Sequence, residues 1–144
     1  MLKNVINWQI VPYEGVGELR LGDSRADIRS FLDEDCITLP SWGSARNDID
    51  AYDKACIQLH YDKDDLLVFI EINPPYNPLF REIELMGLPL QSAIKQMQAL
   101  GYQEKFDDAS SCRFNDVGIA LYAPMPRIIT AVSIYKRGLY EESI

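Results

Sequence analysis

The chain has little of what most catalytic and exported proteins depend on. Its 144 residues include one histidine and three cysteines, and no run approaches the roughly 20 apolar residues that a membrane-spanning helix requires. Polar side chains interrupt the first residues before any apolar run forms, which is not the pattern of a secretory signal. Cys36, Cys56 and Cys112 are odd in number and share no ligand-like spacing. We therefore expect a cytoplasmic protein with reduced thiols.

Motifs for catalysis, cofactors and metals are also lacking. His60 is the only histidine and lies in an alternating strand pattern, where a solvent-facing position is a better interpretation than a general base. The Gly15–Gly17 segment lacks the third glycine of a dinucleotide loop and the Lys-Ser/Thr of a phosphate loop. The aspartates of the Asp62–Asp65 segment lack the glycine and glutamate that complete a calcium loop. The sequence thus predicts no catalytic residue, no cofactor and no metal site. A pair of distant carboxylates stays open as a catalytic alternative.

Positive charge is scarce relative to negative charge. The chain has 22 acidic and 14 basic residues, a formal net charge of −8. Nucleic acids and anionic membranes are bound through Lys and Arg, so this balance argues against both. A basic protein is the partner that such a field attracts. The simpler alternative is that the charge only keeps the protein soluble.

An internal similarity is the main positive feature of the sequence. Two segments alternate apolar and other residues with a period of two, as half-buried antiparallel strands do. Their apolar positions match at a spacing of 62 residues, as in the pairs Ile57 and Ile119, Leu59 and Leu121, Ile70 and Val132, and Ile72 and Ile134. The spacing predicts one hairpin in each half of the chain.

A helix is predicted ahead of each hairpin. Ser24 and Asp27 form a Ser-x-x-Asp capping box, and an apolar stripe at helical spacing follows it. In the second half, apolar residues with the same periodicity run up to Gly101, a residue suited to a helix C-terminus. The residues expected to be buried are Ile28, Phe31, Leu32, Leu90, Ile94, Met97 and Leu100.

These elements predict an α+β fold in a single domain, residues 1–144. It would contain two similar strand-helix-hairpin units, at about 8–72 and 81–137, joined by a proline-rich segment at 73–80. Short strands at Trp8–Val11 and Arg81–Leu85 would precede the helices. Because a unit of about 65 residues is marginal alone, we expect both units to share one antiparallel sheet with the helices on one face.

A long loop and the acidic clusters around it are the predicted partner-binding surface. The Leu39–Asp50 segment has no clean period, and Trp42 within it can anchor an interface because tryptophan offers a large contact area at low entropic cost. Equally, Trp42 can fold back over the sheet edge. The acidic residues of the predicted surface are Asp33, Glu34, Asp35, Asp48, Asp50, Asp53, Asp62, Asp64 and Asp65.

The Gly15–Ile28 segment, Gly-Val-Gly-Glu-Leu-Arg-Leu-Gly-Asp-Ser-Arg-Ala-Asp-Ile, is followed by a second helix-and-hairpin unit. This arrangement resembles small bacterial immunity proteins of contact-dependent growth inhibition and other polymorphic toxin systems. The turn–helix pattern ahead of a short meander is also similar to the tandem units of β-lactamase-inhibitor-like folds. The resemblance implies inhibition of a toxin by occlusion, and it carries over no catalytic residue.

The function expected from these observations is an immunity protein that binds and neutralises a basic toxin domain, for example a nuclease. The alternative is a small-molecule-binding domain or enzyme with a pocket lined by Tyr52, Tyr61 and Tyr122. A third option is a subunit of a larger assembly whose sheets pair edge to edge. The oligomeric state is not predicted.

Overall fold

A computed structural model of the protein describes residue 2 and residues 6–41 and 46–140. The described chain contains two helices, α1 (Arg25–Leu32) and α2 (Leu90–Ala99). The strands before α1 are β1 (Ile10–Val11), β2 (Gly15–Val16) and β3 (Leu19–Arg20). Those between the helices are β4 (Ile37–Leu39), β5 (Ile49–Tyr52), β6 (Ile57–Tyr61), β7 (Leu67–Ile72), β8 (Leu79–Phe80) and β9 (Ile83–Glu84). After α2 follow β10 (Lys105–Asp108), β11 (Ser111–Phe114), β12 (Ile119–Tyr122) and β13 (Ala131–Tyr135).

Both helices begin and end close to the predicted positions. The Ser24 hydroxyl accepts a hydrogen bond from the Asp27 amide at 3.1 Å, which satisfies one of the free N–H groups of the first turn of α1. Gly101, just beyond α2, has a φ of 96°. The expected burial of Leu100 is wrong: α2 ends at Ala99, and Leu100 is 37% exposed because it lies past the last turn.

Eight strands form one antiparallel sheet in the order β10-β11-β12-β13-β7-β6-β5-β4. Each helix is followed in sequence by a four-stranded meander, and the two meanders meet where β7 pairs with β13. The predicted α+β class with an antiparallel sheet is thereby confirmed. The hairpins expected in each half are β6–β7 and β12–β13, the two strands of each meander that lie nearest the centre of the sheet. The sequence did not predict β4, β5, β10 and β11 as strands.

The registers of the two meanders repeat at one spacing. Ile57 pairs with Ile72, and Ile119 pairs with Ile134. The outer pairs follow the same spacing of 62 residues: Ile49 opposite His60 corresponds to Ser111 opposite Tyr122. The central pair is also symmetric, since Ile70 lies opposite Ile134 and Ile72 opposite Val132. An approximate two-fold axis therefore passes between β7 and β13. The division into units at 8–72 and 81–137 stays an interpretation.

The hydrophobic core lies on one face of this sheet. Alternate strand residues join one cluster with the buried faces of α1 and α2, including Ile28, Leu32, Leu90, Ile94 and Met97. The residues that the eight strands contribute to the cluster belong to one alternating set, except that a register irregularity in the β6–β7 pair brings Leu67 opposite Tyr61. Both helices therefore cover the same face, which we call the core face. None of the described helices is long and apolar enough to cross a membrane.

The Gly15–Gly17 segment belongs to a small sheet rather than a phosphate loop. Strands β1, β2 and β3 pair in that order and add Ile10, Val16 and Leu19 to the core. Gly17 has a φ of 55°, and a Cβ there would lie 2.0 Å from the Asn7 carbonyl oxygen. Glycine is required because the backbone of residue 7 approaches too closely for any side chain.

Candidate protein-binding surface

The second face of the eight-stranded sheet is not covered by a helix in the part of the chain that the structure describes. Strand pairing places one continuous row of residues across all eight strands on this face, which we call the open face. In order from one edge to the other, the row is Ile37, Ala51, Gln58, Glu71, Ser133, Ala120, Arg113 and Lys105. At about 4.8 Å per strand spacing, eight strands span roughly 34 Å.

A second row on the open face is mainly apolar and aromatic. It consists of Leu39, Ile49, His60, Phe69 and Tyr135 on neighbouring strands. Tyr122 belongs to a third row and is 48% exposed. Part of this row is buried: Tyr135 lies beneath Tyr13 and Tyr140, and Ile49 is 7% exposed. Leu39 and Tyr122 are exposed, and apolar or aromatic side chains of this kind occur at protein interfaces.

Two shallow recesses lie on the open face, on either side of Phe69 and Tyr140. One, of about 370 Å³, is lined by Ser41, Asp48, His60, Tyr61, Val68, Phe69, Leu139 and Tyr140. The other, of about 280 Å³, is lined by residues that include Phe69, Glu71, Asp107, Arg113, Tyr122 and Tyr140. The segment after β13 therefore runs between them, and its Tyr140 ring packs edge-to-face on Tyr135 with 4.8 Å between ring centroids.

Arg113 fixes the polar part of the second recess. Its guanidinium donates from Nε and Nη2 to both carboxylate oxygens of Asp107, at 2.8–3.0 Å. The same group lies over the Tyr140 ring, 4.4 Å from the centroid. Bidentate pairing and cation–π stacking hold a side chain in one orientation. These contacts therefore fix the Arg113 side chain, which is 6% exposed.

His60 lines the first recess and lies against Phe69. Its ring packs against Phe69 at 4.8 Å between centroids, and burial lowers the pKa of His60 below 6.5, opposed in part by the nearby Asp48 carboxylate. Nε2 is buried and has no hydrogen-bond partner among the described residues. His60 lies on the face away from the core, but the predicted solvent-facing position is wrong, because its ring packs on Phe69 and its Nε2 atom is buried.

The predicted acidic residues separate into two groups at opposite ends of β5. Asp48 precedes β5, and the turn that contains Asp62, Asp64 and Asp65 lies at the same end. Asp53 follows β5; continuing the β4–β5 register by two residues brings Asp35 close to it, with Asp33 and Glu34 just before. The groups lie about 17 Å apart along the strand, because each residue advances roughly 3.3 Å. They form no single acidic surface.

The first group is largely occupied with local structure. Asp62 accepts hydrogen bonds from the Asp64 and Leu66 amides at 2.9 and 3.0 Å, which closes the turn before β7. Asp65 pairs with Arg25 at 3.3 Å and lies 4.0 Å from Arg46. This end of the molecule is consequently less negative than its aspartates alone suggest.

The second group is closer to an acidic patch. Asp33 and Asp35 are exposed, and Glu34 is partly exposed. Asp53 accepts a hydrogen bond from the Tyr76 hydroxyl, which lowers the pKa of the Asp53 carboxyl. Carboxylates concentrated at one end of an edge strand favour a cationic partner there.

Asp50 is not a surface residue, so its prediction as a partner contact is corrected. It lies on the core face of β5 with a fully buried side chain. Arg25 donates to it from Nη2 at 2.6 Å, and Arg29 donates from Nε and Nη2 at 2.8 Å. Burial tends to raise the pKa of Asp50, but the hydrogen bonds from Arg29 and Arg25 outweigh it and lower the pKa below 3.8. We call these three residues the buried triad.

The second half of the chain has apolar residues where the first has the triad. Strand register places Cys112 in the position of Asp50. The backbone amides of the first residues of the two helices donate to carbonyl groups in equivalent turns. The Arg25 amide donates to the Asp65 carbonyl, and the Leu90 amide donates to the Arg127 carbonyl. Arg25 and Arg29 therefore correspond to Leu90 and Ile94, which are buried. The sequence offered one signal for the triad: two arginines four residues apart on the helix face that also carries Ile28 and Leu32.

The predicted anchor Trp42 lies outside the described residues, but both ends of its loop are fixed. The Ser41 amide and hydroxyl each donate to Asp48 at 3.0 Å. Arg46 donates to the Asp62 carbonyl at 2.7 Å, and Arg25 donates to the Asn47 carbonyl at 2.8 Å. The buried triad thus connects the core to the base of the 41–48 loop.

The alternative pocket lined by three tyrosines does not form. Tyr52 and Tyr61 are buried on the core face, where burial raises the pKa of both hydroxyls. Tyr122 lies on the open face. A larger recess of about 680 Å³ lies elsewhere, where Arg81, Glu84 and Gln96 are among its lining residues. The described residues contain no group of three or more His, Cys, Asp and Glu side chains placed to hold a metal ion.

Comparison of the chain with protein-family models, curated proteins and solved structures gives no match.

Proposed function

We propose that this protein binds a basic partner protein and neutralises it by occlusion, as an immunity protein neutralises a toxin domain. The observation that carries the proposal is the open face of the eight-stranded sheet. One face of the sheet packs on the core. On the other, Tyr13 and Tyr140 of the same chain cover Tyr135, whereas Ile37, Leu39 and Tyr122 are exposed and can contact a partner. The face is wide, and its two recesses are shallow.

The dimensions of the open face favour a protein over a small molecule. A standard interface covers about 800 Å² on each partner, which an area about 34 Å wide accommodates. Pockets for small molecules enclose most of the ligand and converge polar groups on it. The recesses beside Phe69 are instead open and separated by Tyr140. Side chains of a partner fit them better as anchor points.

Charge supports a basic partner. With a net charge of −8, the protein attracts cationic proteins at long range and raises their association rate. The acidic patch at Asp33, Glu34, Asp35 and Asp53 concentrates this field beside one edge of the sheet. We expect the association rate to fall with rising salt, because the Debye length shortens.

The test is co-purification with the product of the neighbouring gene, combined with growth of cells that express that product. Wild-type protein should bind it and restore growth. Tyr122→Ala on the open face should weaken binding by about tenfold or more, the scale of an aromatic contact near an interface centre. Met125→Ala is the matched control, because Met125 is 76% exposed and lies in the turn after β12.

Two outcomes count against the proposal. Absence of both binding and protection removes the proposed function. Equal loss of binding in both variants, or in neither, shows that the open face is not the contact surface.

A further inference from the structure

The two edges of the eight-stranded sheet differ in how they are protected. Strand β10, at one edge, reads Lys-Phe-Asp-Asp and has a register irregularity between Phe106 and Asp108. Charges and bulges of this kind discourage further strand pairing. Strand β4, at the other edge, reads Ile-Thr-Leu, carries no charge and pairs with β5 in a regular register. Its short length of three residues limits pairing, but it has neither a charge nor a bulge.

Strand β4 presents apolar side chains to solvent. All three of its residues are exposed; Ile37 is 65% exposed and Leu39 is 37% exposed. Both lie on the open face. Within the described part of the chain, β5 is the only strand paired with β4, so the outer backbone groups of β4 are available to an added strand.

The charge beside β4 indicates which side chains an added strand would carry. The acidic patch of Asp33, Glu34 and Asp35 comes immediately before β4, with Asp53 at the same end of β5. A strand laid along β4 must pass these carboxylates. Lys or Arg side chains on that strand would face opposite charges, whereas a second copy of this chain, itself at −8, would bring like charges together.

We propose that the edge of β4 accepts an extended segment of the partner that carries apolar residues beside β4 and Lys or Arg residues at the end that passes the acidic patch. The apolar side chains contact Ile37 and Leu39 on the open face, and the basic ones contact the carboxylates that precede β4. Backbone hydrogen bonds extend the sheet by one strand. This inference deepens the proposed function by naming what the partner contributes, and its test needs no toxin, so the two can fail separately.

The probe is a blocked ten-residue peptide of alternating Val and Lys, measured by fluorescence anisotropy with the full chain. Residues that alternate in a strand direct their N–H groups alternately to its two sides. One peptide is N-methylated on every Val and a second on every Lys. The two have the same charge, but each lacks the N–H donors along a different edge of the peptide strand. We expect one of them to bind like the parent and the other to bind at least about tenfold more weakly. Equal affinities for all three peptides would overturn strand addition in favour of simple charge attraction.

Two substitutions, one on each edge strand of the sheet, test which edge binds the peptide. Ile37→Asn should weaken binding of the parent peptide by about tenfold, the change that corresponds to about 1.4 kcal/mol. Phe106→Asn is the control, because Phe106 is 45% exposed on the opposite edge strand; it should bind the peptide like the wild type. The reverse pattern, or no effect of either, overturns the assignment to β4. Circular dichroism establishes that both variants are folded.

Sedimentation velocity of the peptide-free protein tests the alternative that a second copy of the chain occupies the β4 edge. A monomer is expected at micromolar concentrations. A dimer that Ile37→Asn dissociates and Phe106→Asn leaves intact would overturn the proposal, because the edge would then belong to a second copy of the chain.

Discussion

Substitution of Asp50 by Asn tests the energetics of the buried triad. The side chain is fully buried and accepts hydrogen bonds from Arg25 and Arg29 at 2.6–2.8 Å. Asn keeps the size but removes the charge and turns N–H donors toward guanidinium donors. Breaking a buried ion pair by removal of one partner costs about 3–5 kcal/mol.

The structure places the expected loss at the lower end of that range. Arg29 has a side-chain exposure of 44%, so water can replace part of what it loses, and Arg25 keeps Asp65 and the Asn47 carbonyl as partners. We expect Asp50→Asn to lower the free energy of unfolding by about 3 kcal/mol, or the melting temperature by about 10 °C for a domain of this size. Urea titrations and thermal scans at pH 7 measure both.

The matched control replaces the three residues of the triad by the residues at the equivalent positions of the second half of the chain. Arg25→Leu, Arg29→Ile and Asp50→Cys together reproduce Leu90, Ile94 and Cys112 at the equivalent positions. Because a well-packed apolar set often equals or exceeds a buried ion pair in stability, the triple variant should lie within about 1 kcal/mol of the wild type. A triple variant as unstable as Asp50→Asn would refute the equivalence of the two halves at this contact. A loss below about 1 kcal/mol for Asp50→Asn would refute the energetic role of the triad.

Two further predictions concern residues outside the triad. Gly17→Ala should destabilise the fold by roughly 1–3 kcal/mol more than Gly87→Ala; both glycines have positive φ, but only at Gly17 does a Cβ meet backbone, the Asn7 carbonyl at 2.0 Å, and paired urea titrations give the difference. His60 has a folded-state pKa below 6.5, so the unfolded state binds the proton first and stability falls as the pH drops from 6.5 towards the folded-state pKa. His60→Gln should remove that slope when unfolding is followed from pH 7.5 to 5.5, and an unchanged slope would contradict the assignment.

The sequence was sufficient for the parts of the fold that have strong periodicity. The hairpins around Ile57 to Ile72 and Ile119 to Ile134 follow from alternation, and α1 follows from its Ser24 cap and apolar stripe. These segments carry their structural preference in local sequence. The outer strands β4 and β10 have three and four residues, too few to establish a period, and their structure comes from pairing with neighbours.

The candidate surface was less accessible to prediction, because it depends on which residues the strands bring together. Asp50 and Asp48 are two residues apart in sequence, yet one is buried against α1 and the other holds the base of a loop. Lys105 and Ile37 belong to one row although 68 residues separate them. Sequence clusters of acidic residues describe local composition, whereas a binding surface is defined by strand order and register.

The symmetric pairing of β7 with β13 has a consequence for how the protein can change over evolutionary time. A homodimer with the same sheet would have to carry every substitution twice, once in each subunit. Here one covalent chain contains both sides of the axis, so a substitution alters one side alone. The arginines and aspartate of the triad, and the uncharged edge at β4, are present on one side and replaced on the other. A tethered arrangement of this kind therefore lets the two sides of the axis diverge independently.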